Sequence, residues 1–194
     1  MLDWKELHET CLACQNCRLG ATRTNLVFGD GNPQAEIMFV GEGPGEQEDL
    51  TGIPFVGRAG QLLDQMLAII DLDRTQYYIA NIVKCRPPGN RDPQADEEAA
   101  CMGYLRNQVK LVRPKIIVCL GRIAAMKLIR KDYRITREHG QWVQNGPFWM
   151  TAIYHPSALL RDVNKRPESF DDLISIREKI LEVCDHTYPS QTDR

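Results

Sequence analysis

Four short aliphatic runs constrain this chain more than any other feature. Residues 36–40, 77–83, 115–120 and 149–154 are nearly continuous in apolar residues, and each is followed by turn-forming residues. That is the pattern of strands buried on both faces. Helical patterns lie between them. Residues 61–70 place Leu62, Leu63, Met66, Leu67, Ile69 and Ile70 along one stripe, and Met102, Leu105, Val109 and Val112 recur at three- and four-residue steps. Asp92 and Pro93 supply an N-cap and first-turn pair for the second helix, with Glu97 and Glu98 near its positive end. Gly121 opens a further helix through Ala124 and Leu128, and a last amphipathic helix carries Phe170, Leu173, Ile174, Ile180 and Leu181. Strands alternating with helices imply right-handed crossovers, so the expected α/β fold is a three-layer α/β/α sandwich around a central four-stranded parallel sheet. The 194 residues suit one domain, 1–194, ending in a frayed polar tail from about Thr187.

Ligands of such sheets bind beyond the carboxyl ends of the strands. Here those ends are residues 41–45, 81–91, Gly121 with Arg122, and His155 with Pro156. A net charge of -2 excludes steering of nucleic acid by bulk positive charge. Binding to DNA would need local patches, and Lys84, Arg86 and Arg91 form one candidate while Arg161, Lys165 and Arg166 form another. No apolar stretch is long enough to cross a bilayer and no secretory h-region opens the chain, so a cytoplasmic monomer without membrane attachment is expected.

Seven cysteines in a chain without an export signal read as metal ligands plus buried thiols rather than as disulfides. Cys14 and Cys17 have the spacing of two ligands to one centre. Cys85 ends a strand and Cys101 lies in the helix that follows, so these two can converge, although buried structural thiols would look the same. Four thiolates suit zinc or an iron-sulfur cluster, and spacing does not separate them. Cys11 repeats the two-residue spacing with Cys14, whereas Cys119 and Cys184 read as core. The run from Gly41 to Asp49 (GEGPGEQED) has glycines that admit a ligand close to the backbone. It lacks the Gly-Lys-Ser/Thr ending of a phosphate loop, and its four acidic residues would repel phosphate.

GEGPGEQED, GIPFVGRAGQLLD, NIVKCRPPGNRDP and HPSALLR, in that order and with cysteines at matching places, closely resemble family 4 uracil-DNA glycosylases. The resemblance implies that Cys14, Cys17, Cys85 and Cys101 bind a [4Fe-4S] cluster with a structural role, leaving Cys11 a bystander. It assigns uracil reading to Asn81, whose amide carbonyl would accept from N3-H while its NH2 donates to O4. Cytosine presents the reverse pattern. Phe55 would stack on the everted base, Gly41, Glu42 and Gly43 would border it, and Glu48 would lie near uracil C5, crowding out a thymine methyl. His155 is the expected catalytic imidazole, aimed at uracil O2 as charge develops there. Gly43 stands where better-known uracil-DNA glycosylases have a water-activating aspartate, so Asn90 becomes the water-orienting candidate. Glu42 joins His155 and Asn90 in the expected catalytic set. Ser157 and Arg161 suit phosphate contacts, and Leu159 suits an apolar wedge filling the gap left by the base. The implied reaction is hydrolysis of the uracil glycosidic bond in single- and double-stranded DNA, without backbone cleavage. Its rivals are a non-catalytic, cluster-bearing DNA-binding module and a zinc-dependent nucleotide hydrolase.

Overall fold

A computed structural model describes residues 2–188. Its strands are β1 (Asp30–Gly31), β2 (Ile37–Gly41), β3 (Tyr77–Asn81), β4 (Ile116–Leu120), β5 (Val143–Asn145) and β6 (Phe148–Ile153). Its α-helices are α1 (Trp4–Leu12), α2 (Leu19–Thr22), α3 (Glu46–Thr51), α4 (Arg58–Ala68), α5 (Ala95–Val112), α6 (Arg122–Leu128), α7 (Ile135–Glu138), α8 (Pro156–Arg161) and α9 (Arg166–Val183). The sheet order is β1-β3-β2-β4-β6-β5. The four inner strands pair in parallel, as the aliphatic runs require. The sheet has six strands rather than four, because β1 and β5 add antiparallel edges. Neither edge carries the expected signal. β1 is two residues long, and every residue of β5 is exposed. Gly146, at φ 59, makes the tight turn that returns β5 into β6.

Alternate residues of the inner strands feed two cores. Met38, Val40, Ala80, Ile117, Cys119 and Ala152 pack under residues of α1, α2, α5 and α6. Ile37, Phe39, Ile79, Val118 and Ile153 pack under α4, α8 and α9. The three layers follow from that alternation. On α9 the inward face is Leu173, Ile176 and Ile180, while Phe170, Ile174 and Leu181 face solvent. The α5 helix starts later than the Asp92-Pro93 pair suggests, since Gln94 is its N-cap and donates its backbone N–H to the Glu97 carboxylate at 2.8 Å. Asp92 is thereby free to pair with Arg122 at 2.7 Å. No helix among the described residues is long and apolar enough to cross a membrane.

Thr187 and Tyr188, expected to begin a frayed tail, are held instead. Glu36, just ahead of β2, is 5% exposed. Its carboxylate accepts backbone N–H bonds from Asp185, His186 and Thr187 at 2.7–2.9 Å and a bond from the Thr187 hydroxyl. Tyr188 donates its hydroxyl to the Ile70 carbonyl at 2.6 Å. The rest of the expected tail, 189–194, lies outside the described residues. Burial pushes the Glu36 carboxyl up, but these donors and Lys115 outweigh it and bring the pKa from 4.5 to about 2. A depressed carboxylate stabilises the fold fully above its unfolded pKa and loses that contribution as pH falls through its folded value. Glu36→Gln should therefore cost about 2–3 kcal/mol at pH 7. In urea titrations its gap from wild type should close between pH 4.5 and 2, and equal stability at pH 7 would refute this latch.

Candidate active site

The carboxyl ends of β2, β3, β4 and β6 open into one cavity of about 540 Å³, lined among others by Glu42, Gly43, Glu48, Phe55, Asn81, Asn90, His155, Ser157 and Arg161. Most residues singled out from the sequence thus converge. At its floor is the end of β3, where Asn81 is 1% exposed. Its side-chain carbonyl Oδ1 is buried with no hydrogen-bond partner among the described residues. Leaving a buried acceptor unpaired costs about 1–3 kcal/mol, so the amide of this cavity-lining residue stands to gain from a further donor. Gly41, at the end of β2, makes room for it. A Cβ on Gly41 would come within 2.5 Å of both Asn81 Oδ1 and Phe55 Cζ, so the position admits no side chain.

Phe55 reaches the cavity on strained backbone, with φ 54. Three residues hold it there. Arg74, itself paired to Asp64, donates to the carbonyls of Pro54 and Phe55 at 3.1 and 2.6 Å. Gly60 lies against the Phe55 backbone where any Cβ would clash. Glu48 accepts from the N–H groups of Val56 and Gly57 at 2.9 and 2.7 Å through one oxygen and from Gly45 at 3.1 Å through the other. Both Glu48 oxygens are therefore committed to backbone donors, and the visible role of this residue is to staple the Phe55 loop to α3. Nothing in the sequence marked Arg74 or Gly60 for this task.

His155 follows β6 and caps α8, with its ring centroid 5.8 Å from that of Phe55. Gly121, at φ 90, lets it pack closely, because a Cβ there would stand 2.8 Å from His155 Cβ. The Ser157 backbone N–H donates to Nδ1 at 3.1 Å, and the Ser157 hydroxyl lies 2.8 Å from the same nitrogen. Nδ1 is thus the acceptor, and a neutral ring carries its proton on Nε2. Burial, reinforced by the positive charge of Arg161, lowers the His155 pKa to about 4. At neutral pH the ring is an uncharged donor. Glu42 moves the opposite way, as burial first and the Asp92 carboxylate second raise its pKa to about 7. Asn90, at φ 55, accepts from Arg86 Nε at 2.8 Å.

Other expected roles change. Leu159 is 1% exposed and packs in the core beneath α8, so its side chain does not project from the surface as a wedge would. A six-residue helix turns that position inward while Ser157, Ala158 and Arg161 line the cavity. Lys84, Arg86 and Arg91 are not an open basic patch. Lys84 is buried, Arg86 holds Asn90, and Arg91 clasps the fully buried Glu97 at 2.6 Å. Asp92, which the sequence marks only as a helix cap, also lines the cavity, beside Arg122, which is expected there at the end of β4.

Five cysteines meet on the other side of β3. Cys11, Cys14, Cys17, Cys85 and Cys101 line one small void together with Arg23, Lys84 and Tyr104. Three of the sulfurs already receive N–H groups: Cys101 from the Lys84 backbone at 3.3 Å, Cys14 from Asn16 at 3.5 Å, and Cys85 from the Arg23 guanidinium at 3.3 Å. Among the described residues, no three Cys, His, Asp or Glu side chains are drawn together as a single ion requires. Cys119 lies in β4 and is fully buried, as core. Cys184 is half-buried and packs at the margin of the other core.

The family model of the uracil DNA glycosylase superfamily matches residues 28–176. A type-4 uracil-DNA glycosylase of Archaeoglobus fulgidus is 44% identical over 191 residues, covering 94% of this chain and 94% of its own. One from Sulfurisphaera tokodaii is 45% identical over 183 residues, covering 90% of this chain and 83% of its own. One from Thermotoga maritima is 46% identical over 153 residues, covering 77% of this chain and 79% of its own. A type-5 enzyme of Pyrobaculum aerophilum is more distant, at 33% over 146 residues. A cavity with an orphaned asparagine carbonyl beside an aromatic ring and a neutral imidazole donor, on a chain this similar along nearly its whole length, leaves one assignment: the chain belongs to the uracil-DNA glycosylase superfamily, in its type-4 branch.

Proposed function

We propose that this chain is a monofunctional uracil-DNA glycosylase that everts deoxyuridine from single- or double-stranded DNA and hydrolyses its N-glycosidic bond, releasing uracil and leaving an abasic site. The observation that carries the reading is the unpaired, buried Oδ1 of Asn81 in a cavity shared with Phe55 and His155. Uracil N3-H is the donor this oxygen lacks, and the amide NH2 complements O4. Cytosine would set acceptor against acceptor and donor against donor. Each mismatch leaves buried groups unpaired, so discrimination exceeds what a missing methyl could give. Phe55 supplies the stacking face for the everted base.

Bond cleavage leaves negative charge on uracil O2 and positive character on the sugar. His155, neutral with its proton on Nε2, donates to O2 more strongly as that charge grows, which is the condition for catalysis by a fixed donor. Glu42, once ionised, offsets the cationic sugar and orients the attacking water. Asn90 assists at the rim with the amide group that Arg86 leaves free. A cation-like sugar accepts even a weak nucleophile, so the carbon-nitrogen bond can break well ahead of attack by this water. Arg161 and Lys165, at the cavity mouth, suit phosphates flanking the everted nucleotide. Ser157 contributes chiefly by fixing the His155 tautomer.

The thiol-lined void fits an iron-sulfur group in its chemistry. Its donors are soft sulfurs, and its N–H and guanidinium contacts are those that stabilise thiolates. Cys14, Cys17, Cys85 and Cys101 would hold a [4Fe-4S] cluster, which when bound cross-links the N-terminal segment to β3 and α5. Glycosidic hydrolysis transfers no electrons, so that contribution is structural. A visible band near about 400 nm reports loading.

A fluorescent uracil-containing oligonucleotide, incubated with the protein and then with alkali, should be cleaved at the uracil position, and no cleavage by wild type refutes the function. His155→Ala should lower kcat by about a hundredfold or more. Gly41→Ala should lower kcat/KM by a similar factor, about a hundredfold, while the thermal midpoint moves by only a few degrees. Unchanged activity in Gly41→Ala would remove the Asn81–Phe55 slot from the mechanism. Because the Glu42 pKa is raised to about 7 and its ionised form is the working one, kcat/KM should climb with pH between 6 and 8. Glu42→Gln should flatten that limb, and a wild-type limb surviving in this variant would assign it elsewhere.

A further inference from the structure

Lys84 is 1% exposed, and its ammonium is enclosed on every side by protein. Nζ donates to the backbone carbonyl of Asn81 at 2.9 Å and to Gln108 Oε1 at 2.6 Å. Both acceptors are neutral. No carboxylate among the described residues pairs with it, and a buried cation without a counter-charge is strongly disfavoured. On its other side Lys84 lines the void formed by the five cysteines, and its own backbone N–H donates to Cys101 Sγ. A thiolate-ligated cubane cluster carries net negative charge. Among the described residues, Arg23, contacting Cys85 Sγ, and Lys84 are the two cations lining that void, and Lys84 also bonds the Asn81 carbonyl of β3.

The carbonyl it holds matters. Asn81 is the last residue of β3, and it lines the uracil cavity. We propose that Lys84 is a positioning residue that links the two sites, its ammonium balancing the charge of the thiolate-bound group while it clamps the Asn81 carbonyl and so fixes the amide that reads uracil. The inference rests on the assignment of the cysteines and of Asn81 made above. A lysine kept only to fill space would tie neither function to the other.

Lys84→Met keeps the length and apolar stem and removes the charge. Two readouts on the cluster-loaded protein test it: the rate at which the visible band bleaches under a chelator, and the inhibition constant for free uracil alongside kcat and KM. Bleaching should accelerate about tenfold, and the free-uracil constant and KM should rise about tenfold with kcat within about threefold, the range seen when groups behind metal ligands are lost. Lys84→Arg, which keeps the charge, should bleach within about threefold of wild type. Wild-type bleaching or wild-type uracil inhibition in Lys84→Met would overturn the proposal. Should Lys84→Met not accumulate as folded protein, wild type decides the matter through free-uracil binding measured loaded, stripped and reconstituted. Affinity that falls and returns with the band supports the link, and affinity indifferent to the band overturns it. Failure of wild type to release uracil at all would instead sink the function proposed above.

Discussion

Strand β2 ends where no side chain fits. The volume a Cβ of Gly41 would take is filled from one side by the Asn81 amide and from the other by the Phe55 ring. Asn81 and Phe55 thus both abut the end of β2 before any substrate arrives. That placement demands support on the Phe55 side, where the backbone is strained. Glu48, Arg74 and Gly60 provide it from three separate segments. Such preorganisation moves ordering costs from the binding step to folding.

The electrostatics follow from the same enclosure. Burial drives an imidazole and a carboxyl toward their neutral forms, so His155 is uncharged at neutral pH and Glu42 only half surrenders its proton there. A neutral donor gains strength only as negative charge appears on its acceptor, whereas an imidazolium would also hold the ground state. Ser157 completes this arrangement by occupying Nδ1 with its N–H, which leaves Nε2 to carry the proton. Burial thereby sets the charge of the ring, and Ser157 its tautomer.

Much of this was legible in the residues themselves. Strands buried on both faces write themselves as unbroken aliphatic runs, so the four-stranded parallel core and the strand-end positions of Asn81 and His155 could be read directly. The edges could not, since Asp30–Gly31 is too short for a pattern and Val143–Asn145 is wholly exposed. Leu159 misled because its loop position says nothing about which side of a six-residue helix it occupies. Lys84 misled for a related reason. Charge in a loop suggests solvent, and its burial depends on Gln108 and the Asn81 carbonyl arriving from elsewhere. The vacant acceptor on Asn81 is a property of three-dimensional packing alone.

The carboxylate latch at Glu36 bears on how the molecule is made. Its three backbone donors lie about 150 positions further along the chain. During synthesis from the N-terminus, β2 would be built long before the groups that neutralise the charge at its head. Until they emerge, sealing that end of the sheet would leave the carboxylate without its backbone donors, with Lys115 beside it. The nascent protein therefore has an internal reason to delay final closure until the segment after α9 has been delivered, which favours late, concerted consolidation over premature collapse of the first half.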